Sequence, residues 1–253
     1  MINDFLLYNN LPKRRFFGLY NIKPFSFCFL LVAALLGLDN SAISLNPTNT
    51  SYLEEEVEIL WKKSDPLGQE IFLSRANNRL PEWELLFKEA AKNTDQHWTL
   101  LAAISYQESH WNPKAISKTG VRGLMMLTQT TAKEVGISRR TDPKQSVFGG
   151  SIYFQRLLEK LPKNMPRQEK LWMTVAAYNL GFSYLKEARE IAKSHNLNPN
   201  TWEDVSQTLH YMSENEPRNL TKTRIKEALD YVEKVRLYYQ TLSVKERKNS
   251  MPF

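Results

Sequence analysis

From Leu45 onward apolar residues recur at helical spacing in several stretches, with no convincing alternation of period two. That pattern predicts an all-α chain. A first helix is expected over Tyr52 to Lys63, with Glu54, Glu55, Glu56 and Glu58 as a solvated face, ended by Asp65-Pro66-Leu67-Gly68. Further segments are predicted around Ile71 to Asn77 and from Pro81 to Ala91, where proline suits a helix start. Asp95 can cap a helix from Gln96 to Ser109, which Asn112-Pro113 stops. After a loop broken by Gly120 and Gly123, helical spacing resumes over Leu124 to Val135 and ends at Gly136. The remaining helices are expected at Ser146 to Leu161, Glu169 to Leu180, Phe182 to Ser194, Trp202 to Met212 and Thr223 to Leu242.

The first 44 residues are built differently. Lys13, Arg14, Arg15 and Lys23 precede the apolar run Phe25 to Leu38, and small residues follow. This is the three-part pattern of an export signal, and the run is shorter than the roughly 20 residues that span a bilayer as a helix. Cleavage is expected near Ser44, with Ala42 as a competing site; an uncleaved anchor or a buried helix is the alternative. Cys28, the one cysteine, lies near the start of the run rather than beside the cleavage site, which argues against a lipid-modified amino terminus. Residues 45–51, with Asn46, Pro47 and Asn49, read as a linker. The expected organisation is therefore a signal over 1–44, linker and N-terminal helices over 45–94, a catalytic domain over 95–245 and a tail over 246–253.

A length of 253 residues allows one large domain or two small ones, and 42% hydrophobic with 24% charged residues is enough apolar material for a core without disulfides. The net charge of +7 falls to +5 once the leader takes away four basic residues and two acidic ones, Asp4 and Asp39. A basic balance suits any polyanion, but the basic residues are scattered, so an anionic envelope polymer is favoured over nucleic acid. His97, His110, His195 and His210 show no metal-ligand spacing and no phosphate-binding glycine loop is present, so neither metal nor cofactor is expected.

The stretch LLAAISYQESHWNP, Leu100 to Pro113, carries the candidate chemistry. On a helix Leu101, Ile104 and Glu108 share one face, so a carboxyl group continues an apolar stripe at the helix end. Poor solvation disfavours its charged form and raises its pKa, as a general acid near neutral pH requires. Periodicity alone equally fits a boundary glutamate satisfied by Ser109 or a backbone amide.

The company Glu108 keeps is more specific. Glu108-Ser109 is followed by Ser117, by Gly123-Leu124-Met125, by Ala177-Tyr178-Asn179 with Gly181, and by Tyr231-Val232. This ordered set resembles the catalytic domain of lytic transglycosylases of the soluble-transglycosylase type, and within them the membrane-bound transglycosylase F group. The resemblance implies a lysozyme-like helical fold that cleaves the β-1,4 bond between N-acetylmuramic acid and N-acetylglucosamine in peptidoglycan. It also implies a 1,6-anhydro product, made without water by one carboxyl group, Glu108, acting as acid and then as base. Ser109 and Ser117 then partner the acid or the sugar, or merely close a helix end and a turn. Gly123 lets backbone approach the glycan or serves a turn, and Met125 is a soft apolar floor or core filler. Tyr178 and Asn179 face substrate from a helix end, and Tyr231 belongs either to the cleft or to the core.

The chain departs from the family pattern at three places. Met126 stands where many relatives carry Gln; EPRNLTKTRIKEA lacks the Tyr-Ala-Arg-Gly element usual before the last motif; and only Leu45 to Thr94 precede the motifs, where transglycosylase F carries a solute-binding-type domain. The expected function is an exported, periplasmic lytic transglycosylase acting on peptidoglycan strands, held to the outer membrane only peripherally. Two readings compete with it: a muramidase using water and a second carboxylate such as Asp142, and a catalytically silent wall-binding module.

Overall fold

The computed structural model describes residues 47–92, 94–215 and 222–250. Among them the chain forms helices α1 (Pro47–Ser64), α2 (Pro66–Asn78), α3 (Leu80–Ala91), α4 (Trp98–Ser109), α5 (Gln129–Glu134), α6 (Pro143–Glu159), α7 (Arg167–Leu180), α8 (Phe182–Ser194), α9 (Trp202–Asn215) and α10 (Lys222–Ser250). The described residues hold no strand; isolated bridges join Ile116 to Arg122 and Arg122 to Leu127. The all-α expectation is met. The leader, its Phe25 to Leu38 run and positions 216–221 lie outside the described residues.

The core is organised around α4, whose residues Trp98 to Tyr106 are all buried. A helix apolar on every side belongs in the interior. The 29-residue α10 packs along it and also contacts α1, α7 and α9, while α3 packs on α4 and α6. Trp61, Phe72, Tyr106, Trp111 and Tyr238 knit α1, α2, α4 and α10 into one aromatic cluster. Phe72 stacks on Tyr238 at 4.8 Å and meets the edge of Tyr106 at 4.7 Å. The Trp61 indole N–H donates to Thr241 Oγ1 at 3.0 Å, so its polar atom is not lost to burial. Residues 47–51, read as linker, begin α1, and residues 246–250, read as tail, continue α10.

Two local expectations are corrected. The cap of α4 is His97, whose Nδ1 accepts from the Thr99 N–H, rather than Asp95. Glu246 receives the Trp98 indole N–H and lies 3.3 Å from His97 Nε2, tying the start of α4 to the end of α10. Leu124 to Val135 is not one helix. Gly123 to Met126 form turns, Leu127 bridges to Arg122, Met126 has φ of +46°, and helix begins only at Gln129 behind the cap of Thr128. The Leu124 carbonyl, which a helix would use four residues on, instead accepts two side-chain hydroxyls from α4.

Candidate active site

Glu108 sits in the last turn of α4, half-buried. The next two residues, His110 and Trp111, both adopt left-handed backbone with φ of +53° and +57°. Such geometry costs about 1 kcal/mol or more for a residue with a side chain. It is held by Trp111, which is 1% exposed and donates its indole N–H back to the Ala102 carbonyl at 2.9 Å. The chain therefore turns sharply after Glu108-Ser109 and leaves the carboxyl group at the end of a rigid helix.

Burial drives the Glu108 pKa from 4.5 up to about 7, and the hydrogen bond from Tyr231 works against that rise. Tyr231 Oη donates to Glu108 Oε1 at 2.7 Å. The negative end of the α4 dipole acts in the same direction as burial. Among the described residues no other hydrogen bond reaches the carboxyl group, so Oε2 is left without a hydrogen-bond partner. Burial first, and the nearby Glu108 next, hold the phenols of Tyr178 and Tyr231 well above their ordinary pKa, so both remain protonated donors.

Replacing Tyr231 by Phe removes the interaction that lowers the Glu108 pKa. A group that must be protonated to act as acid then stays protonated to higher pH. The alkaline limb of the kcat profile should move upward from about 7, as a pH series on the Tyr231→Phe protein would register.

The loop from Trp111 to Thr128 is fastened beside the carboxyl group by side chains from α4, α6, α7 and the stretch that precedes α6. Ser109, buried, donates its hydroxyl to the carbonyls of Ser105 and Leu124, at 3.0 and 2.9 Å. Ser105 donates to the same Leu124 carbonyl at 3.0 Å. Ser146 accepts the Met125 N–H at 3.1 Å, and Tyr178 Oη donates to the Met125 carbonyl at 2.9 Å. Arg140 Nη1 donates to the Leu127 carbonyl at 2.8 Å and the Gly120 carbonyl at 3.2 Å. Ser105, Arg140 and Ser146 were not singled out by sequence. Ser105, one helical turn before Ser109, carried a readable signal; the other two are brought in only by the fold.

The remaining sequence candidates fall into place around this loop. Met125 is fully buried against Gly150, so its side chain supports the loop from beneath and offers no floor to solvent. Gly123 has φ of +87°, and a Cβ there would lie 2.0 Å from the Arg140 carbonyl oxygen. Protein backbone, not an approaching ligand, occupies the space that the absent side chain leaves. Ser117 Oγ accepts the N–H groups of Thr119 and Val121, both at 3.2 Å, and closes a turn. Asn179 is exposed in the last turn of α7, next to Tyr178. Asp142 caps α6, accepting the Gln145 N–H at 2.9 Å. The structure thus joins Glu108, Tyr231, Tyr178 and the Met125 backbone, with Ser109 behind them and Ser117 in a separate turn. Among the described residues no group of three or more His, Cys, Asp or Glu side chains could hold a metal ion.

The sequence profile of the transglycosylase SLT domain matches residues 85–201, spanning Glu108, the clamped loop and Tyr178. Residues 85–201 carry a transglycosylase SLT domain. This SLT chain is 43% identical over 203 residues to membrane-bound lytic murein transglycosylase F 1 of Alkalilimnicola ehrlichii, covering 79% of the chain and 41% of that protein. It is 46% identical over 181 residues to membrane-bound lytic murein transglycosylase F of Yersinia enterocolitica, covering 70% of the chain and 37% of that protein. The SLT chain therefore spans about two fifths of the length of these relatives. It also matches the solved lytic transglycosylase Slt of Pseudomonas aeruginosa with a TM-score of 0.49 and 21% identity, over 66% of the chain and 25% of that structure.

Proposed function

We propose that the protein is a peptidoglycan lytic transglycosylase of lysozyme-like fold, exported by its leader to the periplasm and attached to the outer membrane only peripherally. The observation that carries the catalytic reading is a single helix-end carboxyl group, Glu108, raised to a pKa of about 7 by burial and held by the Tyr231 hydroxyl. A group with that pKa is available both as acid and as base near neutral pH. The SLT domain and the murein in the names of its relatives support peptidoglycan as the substrate class. The leader pattern supports export, and among the described residues no helix is long and apolar enough to cross a membrane.

In this mechanism Glu108 Oε2 gives its proton to the glycosidic oxygen as the bond from muramyl C1 breaks, and N-acetylglucosamine departs with a free 4-hydroxyl. The muramyl 2-acetamido oxygen bonds to C1 and takes up the positive charge. The Glu108 carboxylate then removes the proton of the muramyl 6-hydroxyl while O6 attacks C1 and the acetamido oxygen leaves. A 1,6-anhydro ring is closed, Glu108 is protonated again and no water is consumed. Tyr231 steers the proton to Oε2, while Tyr178, through the Met125 carbonyl, and Ser109, through the Leu124 carbonyl, position the loop facing the acid. Exposed Asn179 is assigned to sugar hydrogen bonding, and Ser117 and Gly123 to shaping the turns that border the glycan.

A two-carboxylate hydrolase would place an acid and a base on opposite sides of the bond. Asp142 is instead occupied with the amino terminus of α6, which supports the single-carboxylate route. Asp142→Asn should retain most turnover, because Asn also caps helices well. Mass spectrometry of the muropeptides released from sacculi tests both points: anhydro-muramyl ends from wild-type and Asp142→Asn protein are expected. Reducing muramic acid ends, or loss of product in a folded Asp142→Asn protein, would establish the hydrolase instead.

A further inference from the structure

A group of cations beside Glu108 takes no part in the chemistry above. His110, the left-handed residue that ends α4, lays its ring 5.0 Å from that of Tyr106, one turn earlier. Cations from two other helices converge on this pair. Arg75 of α2 donates Nη1 to Tyr106 Oη at 3.2 Å, and Arg79, one turn later, donates Nη1 to the His110 carbonyl at 3.2 Å. Lys234 of α10 stands one turn before Tyr238, whose ring meets Tyr106 at 4.7 Å. Arg79, His110 and Lys234 are exposed and Arg75 is half-buried. Desolvation first, then the field of Arg75, Arg79 and Lys234, hold the His110 imidazole below its ordinary pKa.

Gathering like charges on one surface is unfavourable unless something answers them. Two exposed lysines elsewhere are answered by carboxylates, Lys62 by Glu58 and Lys248 by Glu54. Among the described residues no carboxylate lies within ion-pair distance of Arg75, Arg79 or Lys234. The nearby acid Asp65 accepts the Gly68 N–H at the start of α2, and Glu70 lines the same recess as Arg75 and Arg79 without pairing with either, so the cations there outnumber the single carboxylate.

We infer that Arg79, Lys234 and His110, backed by Arg75, form a carboxylate-binding patch for the stem peptide that hangs on the lactyl group of the muramyl unit. This rests on the peptidoglycan reading above. The two-residue step from Glu108 puts the His110 Cα within about 7 Å of the Glu108 Cα, and a four- or five-residue stem reaches about 13 to 18 Å when extended. A stem on the sugar at Glu108 therefore spans to the patch. The carboxylates along such a stem match guanidinium groups, whose planar fork binds them with two parallel hydrogen bonds. The patch selects peptide-bearing glycan over bare glycan.

The test compares the full chain with an Arg79→Gln/Lys234→Gln double variant, both changes lying on exposed side chains. Peptide-bearing sacculi and glycan strands stripped of peptide by an amidase serve as substrates. Binding of a soluble stem tetrapeptide is titrated separately by NMR, without turnover. For exposed ion pairs a roughly three- to tenfold rise in KM on peptide-bearing glycan is expected, with kcat, thermal unfolding and action on stripped strands unchanged. Stem-peptide affinity should fall by the same factor. Equal losses on both substrates, no loss on either, or unaltered peptide binding would overturn the inference. So would lost binding to phosphatidylglycerol vesicles with peptide binding intact, which would assign the patch to a membrane surface. Absence of anhydro product from the wild-type protein would count against the catalytic reading alone, since peptide binding is scored independently.

Discussion

Glu108→Gln should abolish release of anhydro-muropeptides while making the protein more stable at alkaline pH. Gln keeps the size of the side chain and can still accept from Tyr231 Oη, but it has no proton to transfer. General acid/base catalysis contributes about 10² to 10⁴-fold, and one group serving both half-reactions places the loss at the upper end or beyond. The stability effect follows from linkage. The folded protein holds the Glu108 proton with a pKa of about 7 against 4.5 for an unburied carboxyl group. The favourable contribution of the protonated group is complete below pH 4.5 and is lost as pH rises through 7. Above that range the wild-type protein carries a buried charge costing on the order of 3 kcal/mol, which the neutral amide avoids. Urea unfolding at pH 5 should find the two proteins close together; at pH 8 the variant should be the more stable. A variant that retained turnover, or one equally stable at both pH values, would contradict the assignment of Glu108 as a buried acid.

Gly123→Ala should collapse the loop that faces Glu108. A Cβ at this position would sit 2.0 Å from a backbone carbonyl oxygen, that of Arg140, and 2.8 Å from Ser146 Oγ. No side-chain rotation relieves a contact with backbone, and φ of +87° is itself unfavourable for alanine. The combined cost is on the order of 3 kcal/mol, and the melting temperature should fall by about 6 to 12 °C. Activity should fall further than stability explains, because relief requires the loop to move. Movement would separate the Leu124 carbonyl from Ser105 and Ser109, and the Met125 carbonyl from Tyr178. Gly120→Ala is the control: φ is +80° there too, but no atom lies within 4 Å of the added methyl group. It should cost only about 1 kcal/mol and leave turnover largely intact. Equal effects at the two glycines would mean that backbone conformation, not close approach, decides the matter.

The helical character of the chain, the stripe of Leu101, Ile104 and Glu108, and the order of the motifs were legible in the sequence, because all three are local. Periodicity of 3.6 residues is written along the chain, and a carboxyl group that continues an apolar stripe is desolvated wherever that stripe is buried. Local signals failed where a distant partner competes for a backbone group. The helix expected from Leu124 does not form because hydroxyls from α4 take the Leu124 carbonyl and Met126 turns left-handed. Asp95 yields its capping place to His97, which Glu246 of α10 holds from the far end of the chain. Sequence left Tyr231 divided between cleft and core; its hydroxyl reaches Glu108 across 123 positions, a contact that no spacing rule encodes. The sequence by itself determined that one buried-side glutamate stands at a helix end amid the SLT motifs. Only the packing of α10 and the clamped loop against α4 decided which oxygen is left without a partner and at what pH the group titrates, because desolvation and a directed hydrogen bond depend on what closes around a group rather than on what adjoins it in the chain.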